Sequence, residues 1–132
     1  MTEAEAVRHG GCTCGAVRYE VRGAPYKVGL CHCADCRKET GTDYLHYADW
    51  LAGTFSYTGQ VATYRGRSFC PRCGTRLFHL QDDGGAEICV GSLDDAPADL
   101  KPTHEGWIIR REHWLPPIVG AFQAAKDPPR SA

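Results

Sequence analysis

Apolar residues in this chain alternate with polar ones over short stretches and rarely recur at helical spacing. In "AVRYEV", Val17, Tyr19 and Val21 fall on one face and Arg18 and Glu20 on the other, the period-2 pattern of a half-buried strand. "YKVGL" repeats the pattern with Tyr26, Val28 and Leu30, and "GTFSYTG" sets Phe55 and Tyr57 between glycines. "TRLFHLQ", "DDGG" and "AEICVGS" read as arm, turn and arm of a hairpin with Leu77 and Ile88 inside. "HEGWIIRREHW" is a last strand candidate, ended by Pro116 and Pro117. Helical pattern is confined to a turn over Ala34–Thr40, stopped by Gly41, and another around 95–100.

Short strands at near-regular spacing, joined by Gly-rich turns, predict an all-β domain built as a folded-over sheet. At 132 residues one domain is the simplest division. We place it at 10–123, with a flexible N-terminus over 1–9 and a flexible, Pro-rich tail over 124–132.

Composition narrows the partners. Fifteen basic residues face 16 acidic ones, for a formal net charge of -1, which argues against a general nucleic-acid or membrane-surface binder. No apolar run approaches the ~20 residues of a membrane span. The start, "MTEAEAVRHGG", lacks the apolar core of a secretory signal, so a cytoplasmic location is expected. Eight cysteines in a cytoplasmic chain point to metal ligands or redox groups more than to disulfides.

The cysteines fall in "GGCTCGAV", "CHCADC", "FCPRCGTRLF" and "EICVG". In an extended segment residues i and i+2 share a face, so Cys12 and Cys14 can turn toward one ion, as can Cys31 and Cys33. His32 is then directed away. "CPRCG" is a tight turn that brings Cys70 and Cys73 together, with Gly74 permitting a left-handed exit. It reads as half of a zinc site. A redox pair is the alternative, but a helix is expected after a redox motif and Arg76 onward reads as strand.

A closed structural site needs two halves, and Cys12/Cys14 with Cys70/Cys73 supply four thiolates. Cys89 alternates with Ile88 and Val90 and reads as a buried strand cysteine. Cys31, Cys33 and Cys36 then remain for a second ion. Three protein ligands and one open position is how catalytic zinc sites are built.

The runs "GGCTCGAVRYEV", "CHCADCRKETG", "FCPRCGTRLF" and "VGSLDD", in this order, resemble the glutathione-dependent formaldehyde-activating enzyme (GFA) family over roughly Gly10 to Trp114. The resemblance implies an all-β, Mss4-like zinc-bound fold and two Zn2+ per chain. It implies that Cys12, Cys14, Cys70 and Cys73 hold a structural zinc and that Cys31, Cys33 and Cys36 hold a catalytic one. It further implies a carbon–sulfur lyase-type activity, run in reverse, that forms S-(hydroxymethyl)glutathione from glutathione and formaldehyde.

On that reading a small thiol would take the open zinc position as its thiolate and attack an aldehyde carbon. His32, His46, Tyr44 and Asp35 are near enough in sequence to serve as proton donor. The acid-free run carrying Arg65, Arg67, Arg72 and Arg76 admits a carboxylate-binding role, a nucleic-acid patch with Tyr64 and Phe69, or an ordinary solvated face. His79, His104 and His113 read as strand or wall residues. The rival to the enzyme is a zinc-stabilised binding module with both ions structural. It would require a fourth protein ligand, such as Cys89 or a histidine, to close the second site.

Overall fold

A computed structural model describes residues 6–95 and 99–129. Along the chain these form β1 (Val7–Gly11), β2 (Arg18–Arg22), β3 (Lys27–Cys31), α1 (Ala34–Thr40), β4 (Leu45–Trp50), β5 (Phe55–Thr58), β6 (Ala62–Tyr64), β7 (Arg67–Phe69), β8 (Arg76–Leu80), β9 (Ala86–Cys89), β10 (His104–Gly106) and β11 (Phe122–Gln123). Short 3-10 turns cover Val90–Ser92 and Ile108–Arg110. The described residues are mostly sheet with one short helix, as the alternation predicts. Two compact units divide it: Met1–Tyr26 with Ala48–Pro97, and Lys27–Tyr47 with Ala98–Ala132.

In the first unit β2 lies between β1 and β5, both antiparallel to it. The alternation in "AVRYEV" is realised: Val17, Tyr19 and Val21 are buried. Tyr19 and Phe55 then meet Phe78 of β8, with ring centroids 6.2 and 4.8 Å from it. β6, β7, β8 and β9 form an antiparallel meander, and Phe78 pairs with Ile88 in the predicted hairpin. Its turn is closed by Gln81 N–H donating to the Gly85 carbonyl at 2.8 Å. The outer neighbour of β9 is β4, whose Trp50 is fully buried and donates Nε1–H to the Gly23 carbonyl at 2.8 Å.

In the second unit the strand order is β11, β10, β3, β4. β10 runs parallel to β3, with Glu105 opposite Leu30 and Gly106 opposite Cys31. The alternation expected in "YKVGL" is not realised, because β3 has neighbours on both edges and is covered: Lys27, Val28, Gly29 and Leu30 are all buried. Lys27 keeps its ammonium 5.9 Å from the Tyr47 ring centre, a cation–π placement that offsets some of its desolvation. Gly29 is there because a Cβ would fall 2.4 Å from the Tyr47 hydroxyl oxygen.

The last predicted strand is shorter than "HEGWIIRREHW" suggested. It stops at Gly106 because Trp107 takes a left-handed backbone, φ 56, and a 3-10 turn follows. Few bulky residues adopt that conformation. Trp107 is held in it by its N–H to the Lys126 carbonyl and its indole N–H to Asp127 Oδ1, both 2.8 Å. The segment from Ala124, read from composition as a loose tail, thus bonds to the chain around β10. Val7, Arg8 and His9, placed with the flexible start, are the first residues of β1. The second predicted helical turn, 95–100, lies partly outside the described residues.

Candidate metal centres and their surroundings

Two cysteine sets, each within one unit, bring their sulfurs within 4.8 Å of one another: Cys12, Cys14, Cys70 and Cys73 in the first, and Cys31, Cys33 and Cys36 in the second. None of these cysteines, nor Cys89, is in a disulfide. Each set could hold a metal ion.

The quartet is made by two matching turns. Cys12 accepts Gly15 N–H on its carbonyl at 3.1 Å, and Cys70 accepts Gly74 N–H at 2.8 Å. Each turn exits through a left-handed glycine, Gly15 at φ 81 and Gly74 at φ 82. Cys12 and Cys14 therefore converge through a turn rather than along an extended strand, which corrects the geometric reason given for their pairing. Thr13 N–H donates to Thr75 Oγ1 at 3.2 Å and ties the two turns together. Backbone N–H groups aim at the sulfurs: Val17 at Cys12 at 3.2 Å, and Arg72 and Cys73 at Cys70 at 3.4 Å. Cys12–Cys14 and Cys14–Cys70 sulfur separations are 3.5 and 3.7 Å. A tetrahedron of thiolates around zinc has sulfurs roughly 3.8 Å apart, so the donor set fits the ion.

Four thiols this close cannot lose their protons independently. The hydroxyls of Thr13 and Thr75, helped by the N–H groups of Thr75 and Cys14, hold Cys73 down to about 4. Cys14 goes the other way, up to about 11: Ala16 N–H favours its thiolate, but burial and the three neighbouring sulfurs outweigh it. A cation among them removes that mutual penalty.

The trio is carried by the end of β3 and the start of α1. Cys31 closes β3. Cys33 is the N-cap of α1, with φ -64 and ψ 160, and its sulfur accepts Cys36 N–H at 3.3 Å. Cys36 lies in the first turn and is buried. The helix matches the predicted bounds and ends in left-handed Gly41, whose N–H reaches the Arg37 carbonyl. The Cys31 thiol and burial push Cys36 far above the ordinary thiol range, and burial with Cys31 pushes Cys33 up as well. A cation among the sulfurs would relieve the penalty that holds the protons on Cys33 and Cys36. Among the described residues of its unit, no fourth Cys, His, Asp or Glu joins the set.

His32 stands between two members of the trio in sequence but is not one of its grouped ligands. Its Nε2–H donates to Glu105 Oε1 at 2.9 Å, and both side chains are buried. Its Nδ1 is buried with no hydrogen-bond partner among the described residues. Tyr44 packs edge-on against the His32 ring, centroids 5.7 Å apart. His46 donates Nε2–H to the Leu100 carbonyl at 3.0 Å, and burial lowers its basicity. Asp35 is an exposed residue of the first turn of α1. Glu105 was missed from sequence. An acid near the start of a predicted strand was the available signal, since charged residues are seldom fully buried unpaired.

The other singled-out residues form no such cluster. Cys89 is buried in β9 and influences Tyr19, in the first unit. Arg65 sits in the left-handed turn between β6 and β7 with φ 51, and its carbonyl accepts Arg67 Nη1–H at 3.3 Å. Arg72 is exposed in the Cys70–Cys73 turn.

The family model described as "Glutathione-dependent formaldehyde-activating enzyme" matches residues 7–110. Among solved structures, the chain resembles a crystal structure of a Rhodobacter sphaeroides protein. The TM-score is 0.55 at 20% identity, over 74% of this chain and 98% of the other. That likeness shows the fold alone. Among the described residues no helix is long and apolar enough to cross a membrane.

Proposed function

We propose, from the premise that this chain belongs to the glutathione-dependent formaldehyde-activating enzyme family, that it joins a small thiol to an aldehyde at Cys31, Cys33 and Cys36. Glutathione and formaldehyde are the pair the family description names. In this reading the quartet holds a zinc ion that fixes the fold, and the trio holds a second with one position left for an incoming ligand. When bound there, zinc supplies a positive centre that favours the thiolate of a substrate thiol. Written as a balance, the thiol sulfur bonds to the aldehyde carbon, the carbonyl π bond breaks, and the thiol proton ends on the new oxygen. The product is an S-(hydroxymethyl) thiol, and the reverse direction is a carbon–sulfur lyase reaction.

The chain's own residues have defined parts in this scheme. Cys31, Cys33 and Cys36 hold the centre, and the Cys36 N–H to Cys33 sulfur bond spaces two of them. Of the four candidate proton carriers, His46 has a ring nitrogen bonded to the Leu100 carbonyl and His32 has one bonded to Glu105. A reducing, cytoplasmic setting would keep the thiols available.

The observation that carries this reading is the contrast between a quartet and a trio in one chain. Two-dimensional exchange NMR on glutathione and formaldehyde tests it. The zinc-loaded protein is expected to speed exchange between glutathione and its hydroxymethyl adduct. Exchange at the protein-free rate would favour the binding module instead.

A further inference from the structure

Cys31 and Cys33 flank a residue that is tied into the strand beside it at three points. Gly106 of β10 stands opposite Cys31. His32 N–H donates to the Gly106 carbonyl at 3.1 Å. The His32 ring donates Nε2–H to Glu105 Oε1 at 2.9 Å. Residues 31 and 32 therefore cannot move along or away from β10 without breaking backbone and side-chain bonds together.

Glu105 is in turn fixed from the far side. Its Oε2 accepts Ile118 N–H at 2.7 Å and Gln123 Nε2–H at 2.8 Å, with Arg111 Nη2 at 3.3 Å. Arg111 also donates to Gln123 Oε1. Every partner of the carboxylate is a donor, so Glu105 is an acceptor and His32 Nε2 carries the hydrogen. All three far-side donors come from the segment after residue 110 and clamp the carboxylate behind the cysteines.

A buried carboxylate–imidazole pair is a poor way to gain stability, because apolar residues of similar volume do as well without desolvating charge. Such a pair is well suited to orientation. Groups behind metal ligands that lock their geometry are worth roughly 10–100-fold in metal affinity.

We propose that Glu105, acting through His32 and held by Arg111, Ile118 and Gln123, is the positioning residue of the Cys31/Cys33/Cys36 centre. This rests on the reading that the trio binds metal. The carboxylate presets the Cys31–Cys33 segment, so the sulfurs meet an ion without rearrangement. The quartet, in the other unit, does not depend on it.

The test is chelator competition on zinc-loaded protein, following release with a chromogenic pyridylazo chelator. The wild-type chain is expected to hold two zinc ions, one released faster than the other. In Glu105→Gln and His32→Leu the fast ion should leave 10–100-fold faster, while the slow ion keeps its wild-type rate. Gln123→Met, which removes one donor and leaves the carboxylate charge, should give a smaller acceleration of the same ion and keeps the test available if Glu105→Gln fails to fold. Wild-type release rates for both ions in folded variants with lowered melting temperatures would overturn the proposal and make the pair a core contact only. A wild-type chain that holds one ion, removed by Cys12→Ser but not by Cys33→Ser, would overturn the reading of the trio itself.

Discussion

The sulfur of Cys33 accepts the backbone N–H of Cys36 at 3.3 Å, so the cap of α1 is itself a member of the trio. One side chain starts the helix and contributes to the centre. Those two duties separate on substitution. Cys33→Ser keeps an oxygen that caps well and loses the sulfur. Metal analysis should show one zinc lost per chain, with circular dichroism unchanged. Cys33→Ala removes the cap as well and should cost about 1 kcal/mol more in denaturant unfolding.

The quartet should respond differently. Cys12, Cys14, Cys70 and Cys73 close the two turns of the first unit, and a bound structural zinc contributes roughly 10 kcal/mol to folding. That matches the whole net stability of an ordinary domain. Cys12→Ser or Cys70→Ser should therefore give an unfolded chain by circular dichroism. A folded Cys70→Ser protein with one zinc would contradict the structural role.

Acid should expose the Glu105 network. Burial works against its charged form. Gln123, Ile118 N–H, His32 and Arg111 outweigh burial and hold the carboxyl below its ordinary range. A depressed folded-state value means that this stabilisation is present above the unfolded value, roughly 4.3. It is lost as pH falls through the lower folded value. Wild-type protein should lose denaturant resistance over that acid window faster than Glu105→Gln does. Equal slopes for the two proteins would remove Glu105 from the acid response.

Gly29 is required by space and not by backbone conformation. A Cβ there would stand 2.4 Å from the Tyr47 hydroxyl oxygen and 2.5 Å from the adjoining ring carbon. Gly29→Ala should cost about 1–3 kcal/mol, the usual range for overpacking. Combining it with Tyr47→Ala should recover part of that loss if the ring is the obstacle, as read from a double-mutant cycle in urea.

Much of this was legible in the sequence because it is local. The end of α1 follows from Gly41, and the β8–β9 hairpin follows from its turn residues and the alternation of Leu77 and Ile88. The grouping of the cysteines was legible too, although Cys12 and Cys14 meet in a turn and not on a strand face. What was not legible depends on distant partners. β3 is a central strand between β4 and β10 with Lys27–Leu30 all buried, and no local period records that. Trp107 ends β10 because Lys126 and Asp127 hold it left-handed. Glu105 is satisfied by residues 73 positions before it and 13 and 18 after it, so its burial cannot be read from "HEGW".

The central claim is that Cys31, Cys33 and Cys36 leave a metal position for a substrate thiolate. Cobalt(II) substitution followed by glutathione titration tests it most directly, since each sulfur bound to cobalt adds charge-transfer absorbance in the near ultraviolet. The account predicts a saturable increase as glutathione is added, absent in Cys33→Ser. An absorbance unchanged by glutathione in protein holding two cobalt ions would contradict it.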